Sequence, residues 1–181
     1  TPQVQMRVIE QLESKPKLIA LDTLNFWMDV ALDDLMEVLK KIDVLIINDE
    51  EARQLSGEYS LVTAAAKIIE MGPKILVIKK GEHGALLFHG TNIFYAPALP
   101  LEVVFDPTGA GDTFAGGFMG YIAKTGDTSF EGMKKAIIAG SAMASFCVEK
   151  FGTQKMVELD EKMIQDRVKR FEDLVRFDTV L

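Results

Sequence analysis

The chain has 181 residues, 48% of them hydrophobic and 26% charged, a balance that suits one globular domain, residues 1–181, with its own core. A formal net charge of −7 repels phosphodiester backbones and argues against nucleic acid as the partner, although a local basic patch can still hold one small phosphate. A single cysteine, Cys147, excludes an intrachain disulfide, no apolar run nears the ~20 residues of a membrane span, and no signal peptide pattern opens the chain, so a cytoplasmic protein without a membrane partner is expected.

Val4, Val8, Ile9 and Leu12 recur at helical spacing after Pro2 and predict an amphipathic helix, ended by Lys15-Pro16. Leu18-Ile19-Ala20-Leu21 is a short apolar run of the kind found in a buried parallel strand, and Asp22-Thr23-Leu24-Asn25 follows at its C-terminal end. Ligands of open α/β sheets bind at that end, which makes Asp22 and Asn25 candidate site residues. An ordinary turn with Asx hydrogen bonds is the competing explanation. Asp33 and Asp34 begin a helix carrying Leu32, Leu35, Met36, Val38 and Leu39, and Asp43-Val44-Leu45-Ile46-Ile47 is the next buried strand. It ends at Asn48-Asp49-Glu50-Glu51, where Asn48 can cap the following helix and Glu51 occupies the third position of a capping box.

Gly57 closes that helix, Leu61 to Met71 form another around Val62, Ala65, Ile68 and Ile69, and Gly72-Pro73 stops it. Ile75-Leu76-Val77-Ile78 is the third buried strand. It runs into Lys79-Lys80-Gly81-Glu82-His83-Gly84 and then Ala85-Leu86-Leu87-Phe88, a glycine-framed hairpin in which Lys80 either offers charge to a phosphate or is simply solvated. His83 is expected in solvent, since no second histidine or thiol has metal spacing to it. His89 to Asn92 reads as another hairpin turn and Ile93 to Ala96 as its return strand.

Val103-Val104-Phe105 is expected as a strand that Pro107 and Gly109 break, after which a long helical pattern begins with Asp112 in its first turn. Gly109 and Gly111 carry no Cβ, so a ligand can lie against the backbone, and the unpaired N–H groups of the helix start favour an anion. A carboxylate beside a place built for negative charge suits removal of a proton from a nucleophile next to a phosphate. Two other readings stay open: a tight turn with a helix-start carboxylate, and a dinucleotide fingerprint, although a third glycine and a later ribose-binding acid are not in place for the latter. Phe114, Phe118, Met119 and Ile122 face inward on the helix, with Gly116, Gly117 and Gly120 expected to let it approach a neighbour. A second helix is expected from Phe130 to about Lys150, with Cys147 a buried thiol, and a charge-dense helix from Asp160 to Phe177 as a solvated cover.

Gly109-Ala110-Gly111-Asp112, continuing through Thr113-Phe114-Ala115-Gly116-Gly117-Phe118, resembles the second signature of the pfkB/ribokinase family of carbohydrate and nucleoside kinases. The resemblance implies ATP-dependent phosphoryl transfer to a sugar or nucleoside hydroxyl, with Asp112 as base and the amides of Gly109, Ala110 and Gly111 as anion hole. It implies that Asn48 and Glu51 act through water on Mg2+, and that Lys80, Gly81 and Gly84 belong to a loop over the nucleotide. Thr108, Val148, Phe151 and Gly152 would stand on the nucleotide side, with carbonyls of Asp106, Thr108, Val148 and Gly152 holding a monovalent cation such as K+. The implied fold is a ribokinase-like three-layer α/β/α sandwich with a mainly parallel sheet and an antiparallel hairpin edge. The resemblance is expected to cover the family's C-terminal portion only, with the N-terminal lid part missing and a homodimer formed where that part is present. The alternative is a non-catalytic nucleotide-binding fragment or scaffold.

Overall fold

The structure is a computed structural model that describes residues 1–176. The chain divides into two compact units, the first made of Thr1–Lys80 and Leu86–Phe94, the second of Gly81–Ala85 and the chain from Tyr95 onward. Among the described residues no helix is long and apolar enough to cross a membrane.

In the first unit, α1 (Pro2–Glu10) precedes β1 (Ala20–Asp22), α2 (Asn25–Val30), α3 (Leu32–Leu39), β2 (Val44–Asn48), α4 (Asp49–Ser56), α5 (Leu61–Glu70) and β3 (Ile75–Lys79). These strands, with β4 (Ala85–His89) and β5 (Asn92–Ala96), form one sheet in the order β1-β2-β3-β4-β5. β1, β2 and β3 are parallel, in a register that sets Asp22 opposite Ile46 and Asn48 opposite Lys79. Strands β3, β4 and β5 are joined by connections too short for a crossover, so these pairs run antiparallel. Residues 44–47 and 75–78 are all buried, as continuous apolar strands require when neither face meets water. Leu45, Ile47, Leu76 and Ile78, alternate residues and therefore on one face, form a core with Leu35, Val38 and Leu39 of α3, Ala52 of α4 and Ala65 and Ile68 of α5.

Three expectations for this unit need correction. On α1, Val4 and Val8 are exposed, and Leu12, expected on the same helix, lies exposed beyond its end at Glu10, while Pro2 is buried and Met6 and Ile9 pack against the core, because positions 2, 6 and 9 share the inward face. Val62 is likewise exposed, with Ala64, Ala65 and Ile68 turned inward instead. Asn25 lies in no turn but opens α2, a helix of six residues too short for its periodicity to be read.

The second unit holds α6 (Ala110–Thr125), α7 (Phe130–Cys147) and α8 (Glu161–Val175). The expected end of α8 at Phe177 lies outside the described residues. Val103-Val104-Phe105 is not a strand: the three side chains are 70%, 55% and 66% exposed and the segment pairs with α7's end through the Phe105 N–H alone among its own amides. An apolar run without a partner for its backbone cannot become a strand. Helices α6 and α7 leave no room for a side chain at two glycines, Gly117 and Gly140. A Cβ on Gly117 would come within 3.0 Å of the Ala139 carbonyl, and one on Gly140 within 2.7 Å of the Phe114 carbonyl, whereas Gly116 and Gly120 have nothing within 4 Å. Below that contact Leu99, Ala142 and Phe171 form a small buried cluster. Gly140→Ala should therefore lose about 1–3 kcal/mol to overpacking, and Gly120→Ala should gain about 0.5–1 kcal/mol from helix propensity; urea denaturation of the two variants checks the contrast.

Candidate functional site

The candidate residues of the first unit gather at the C-terminal ends of its parallel strands. The capping box is formed: the Glu51 N–H donates to Asn48 Oδ1 at 2.8 Å, and the Asn48 N–H donates to Glu51 Oε2 at 2.7 Å. Because the reciprocal bond folds Glu51 back over the helix start, the residue is only 4% exposed. Desolvation raises the Glu51 pKa above its ordinary value; the Asn48 N–H opposes the rise, nearby Asp22 adds to it and Lys79 opposes it. Asp22, at the end of β1, takes a 2.9 Å hydrogen bond and ion pair from Lys79 Nζ, at the end of β3. Asn25 Nδ2 donates to Gln54 Oε1 at 2.5 Å, so the second substrate candidate is tied to α4. Lys80 follows β3 and is half-buried.

Sequence reasoning passed over Lys79, whose signal was a cation ending a buried parallel strand, opposite Asn48. It pairs with Asp22 and stands within electrostatic range of Glu51. Among the described residues no three His, Cys, Asp or Glu side chains gather into a metal cage. Asn48 and Glu51 bring oxygen donors to this strand end, a chemistry that suits a hard cation held mostly through water.

In the second unit the candidates converge on the start of α6. Gly109 is the N-cap at φ 80°, a left-handed conformation that glycine adopts without penalty. The three amides expected to form the anion hole are not equivalent. The Ala110 N–H donates to the Pro107 carbonyl at 3.1 Å, while the N–H groups of Gly109, Gly111 and Asp112 have no acceptor among the described residues. The open donors thus include Asp112's own amide. Its carboxylate is exposed and enters no ion pair or hydrogen bond among the described residues.

The segment leading into this bend is fixed from behind. The N–H groups of Phe105 and Asp106 both donate to the Val148 carbonyl, at 2.8 and 3.3 Å, and the Cys147 thiol lies 3.7 Å from the Thr108 carbonyl. Cys147 is buried, as expected. The Thr108 N–H donates to Asp106 Oδ1 at 2.9 Å. Hydrogen bonds from Thr108 and then from the Gly152 N–H hold the exposed Asp106 carboxyl below the usual carboxylate range. Asp106, Thr108, Val148 and Gly152 are therefore neighbours, while Phe151 is exposed beside them. Of the four carbonyls expected around a monovalent cation, that of Val148 already accepts two N–H groups in this arrangement. Gly81 opens a single 3-10 turn, Gly81–His83, with His83 exposed, and Gly84 at φ 85° is buried where a Cβ would meet the Ala96 carbonyl at 2.0 Å.

Residues 5–160 match the pfkB family carbohydrate kinases. The chain belongs to that family. The match overturns the expectation that the resemblance is confined to the family's C-terminal portion, because it begins within α1 and takes in nearly the whole chain. A cytidine kinase of Thermococcus kodakarensis is 32% identical over 121 residues, which are 65% of this chain and 43% of that protein. A ribokinase of Staphylococcus aureus is 31% identical over 134 residues, 71% of this chain and 42% of that one. The chain spans about half the length of the curated relatives it matches. Among solved structures, a fructokinase from Vibrio cholerae O395 superimposes with a TM-score of 0.80 at 17% identity, covering 92% of this chain and 55% of that one. The Arabidopsis thaliana ribokinase complexed with ribose and ATP gives 0.75 at 26% identity, covering 93% and 53%. These likenesses establish the ribokinase-like α/β/α fold with its mixed, mainly parallel sheet.

Glu51's raised pKa makes its ionised form a cost to the folded state, complete above the folded pKa and relieved as pH falls through it. Glu51→Gln keeps the capping box and removes that cost. In metal-free protein the variant should have a Tm at pH 7 at or above wild type and a smaller loss of Tm between pH 5 and 7, as thermal unfolding across that range would show.

Proposed function

We propose that the chain carries the phosphoryl-transfer machinery of an ATP-dependent kinase that acts on a hydroxyl group of a sugar or nucleoside. The observation that carries the reading is the exposed Asp112 carboxylate, without a partner among the described residues, beside the open amides of Gly109, Gly111 and Asp112 at the start of α6. In the reaction, Asp112 accepts the proton of the acceptor hydroxyl as its oxygen attacks the terminal phosphorus and the bond to the bridging oxygen of ADP breaks. The open amides hydrogen-bond to oxygens of the transferring group and stabilise the charge that spreads over them, reinforced by the helix dipole. Ala110, whose N–H is turned to Pro107, serves through its small side chain rather than as a donor.

Asn48 and Glu51 are assigned to a magnesium ion, held through water, which supplies charge neutralisation on the nucleotide's phosphates. Lys80, Gly81, Gly84, Thr108, Val148, Phe151 and Gly152 are assigned to the nucleotide, and Asp22 and Asn25 to the acceptor. The Lys79 ion pair fixes the Asp22 carboxylate at the strand end, where it can accept a hydrogen bond from a substrate hydroxyl. Family membership is the ground for assigning both groups of residues to one reaction. The named activities of the relatives, a cytidine kinase and a ribokinase among them, support a sugar or nucleoside as acceptor.

A phosphoryl-transfer screen with ATP over sugars and nucleosides, run on wild type and Asp112→Asn, tests the reading. The variant should lower kcat by about 10²–10⁴-fold, the range for loss of a general base, with nucleotide affinity nearly unchanged. Equal turnover in the two proteins would remove Asp112 from the mechanism, and nucleotide binding without transfer to any acceptor would favour a binding module.

A further inference from the structure

The motif reading treats α8 as a solvated cover, yet Arg167 on that helix is only 8% exposed and grips one short stretch of α7. Its Nη1 donates to Ser145 Oγ at 2.8 Å, its Nη2 pairs with Glu149 Oε1 at 2.6 Å, and its Cζ lies 3.7 Å from the centre of the Phe146 ring. Ser145 Oγ in turn donates to the Ala142 carbonyl at 2.7 Å, and Lys155 stands 3.9 Å from the other Glu149 oxygen. The two residues between those contacts face the other way. Cys147 reaches the Thr108 carbonyl, and Val148 accepts the N–H groups of Phe105 and Asp106. The end of α7 and the two residues after it are thus held by Arg167 through 145, 146 and 149, and through 147 and 148 they hold the segment that runs into Gly109.

We infer that Arg167 is a positioning residue for the phosphoryl-transfer loop: by locking the end of α7, it fixes the Val148 carbonyl from which residues 105–108 hang, and so the placing of the open amides and of Asp112. A planar guanidinium is suited to this, since it bridges two acceptors and stacks on a ring at once, which a lysine ammonium cannot reproduce. Buried charges are retained at a desolvation cost, and a geometric role accounts for keeping one on a helix whose other charges are in solvent. The catalytic consequence rests on the kinase reading above; the structural link does not.

Hydrogen–deuterium exchange on the full chain, resolved to single amides, separates the two. In Arg167→Met the Phe105 and Asp106 amides should exchange at least about tenfold faster than in wild type, while amides of β2 and β3 keep their protection. Glu149→Gln, a milder change, should move the same two amides in the same direction and decides the matter if Arg167→Met loosens the whole chain. Unchanged protection at 105 and 106 in a folded variant, with faster exchange confined to α8, would overturn the inference. Where transfer activity is found, Arg167→Met should lower kcat about tenfold with nucleotide KM within about threefold of wild type, and Arg167→Lys should not restore it. An inactive wild type would count against the kinase reading, whereas the exchange result would still decide the role of Arg167.

Discussion

Gly109 holds a backbone angle that side-chain-bearing residues avoid, and the organisation of the candidate site follows from it. The left-handed residue turns the chain from the loop at 103–108 into α6 within one position, so that the helix starts without a side-chain cap. Amides that a serine or aspartate would otherwise satisfy are left open. Asp112 sits in the same first turn, exposed and without a partner among the described residues. A helix start that leaves its donors bare forgoes the stability that a capping side chain would supply.

The surroundings make that arrangement rigid. The Asp106 carboxylate accepts the Thr108 N–H and the Val148 carbonyl accepts two amides of the same loop, so the bend is anchored by hydrogen bonds that leave it few alternatives. Behind α6, the contact at Gly117 and Gly140 brings two helix backbones together where a single methyl would not fit. The first unit follows a parallel logic. Its fully apolar strands end in polar residues, and these pair with one another: Asp22 with Lys79, Asn48 with Glu51. Charge is thereby concentrated at one end of a sheet that is otherwise apolar through its thickness. Glu51 pays for its burial with a raised pKa, a cost that a capping box alone does not require.

Much of this was legible in the sequence because it is local. The αL glycines, the capping box at Asn48 and Glu51, the apolar strands at 44–47 and 75–78 and the helix start after Gly109 are each specified by neighbouring residues. What was not legible depends on partners distant in the chain. Val103-Val104-Phe105 has the composition of a strand but no strand beside it. The inward face of α1 is chosen by what it packs on, and its more apolar side is left outside. Lys79 and Arg167 look like surface charges until Asp22, Ser145 and Glu149 are brought to them. Ala110 shows the limit within a motif: a residue at a family position whose amide the turn itself has already used.

The central claim is that bare amides at the start of α6 receive the terminal phosphate of a nucleotide. Backbone 15N–1H spectra of the isotope-labelled chain, recorded through a titration with a non-hydrolysable ATP analogue and magnesium, test it most directly. The account predicts that the Gly109, Gly111 and Asp112 amides shift downfield and gain protection from exchange at saturation, while Ala110, bonded to Pro107, moves least of the four. Saturable binding of the analogue that left those three amides at their free positions would contradict it.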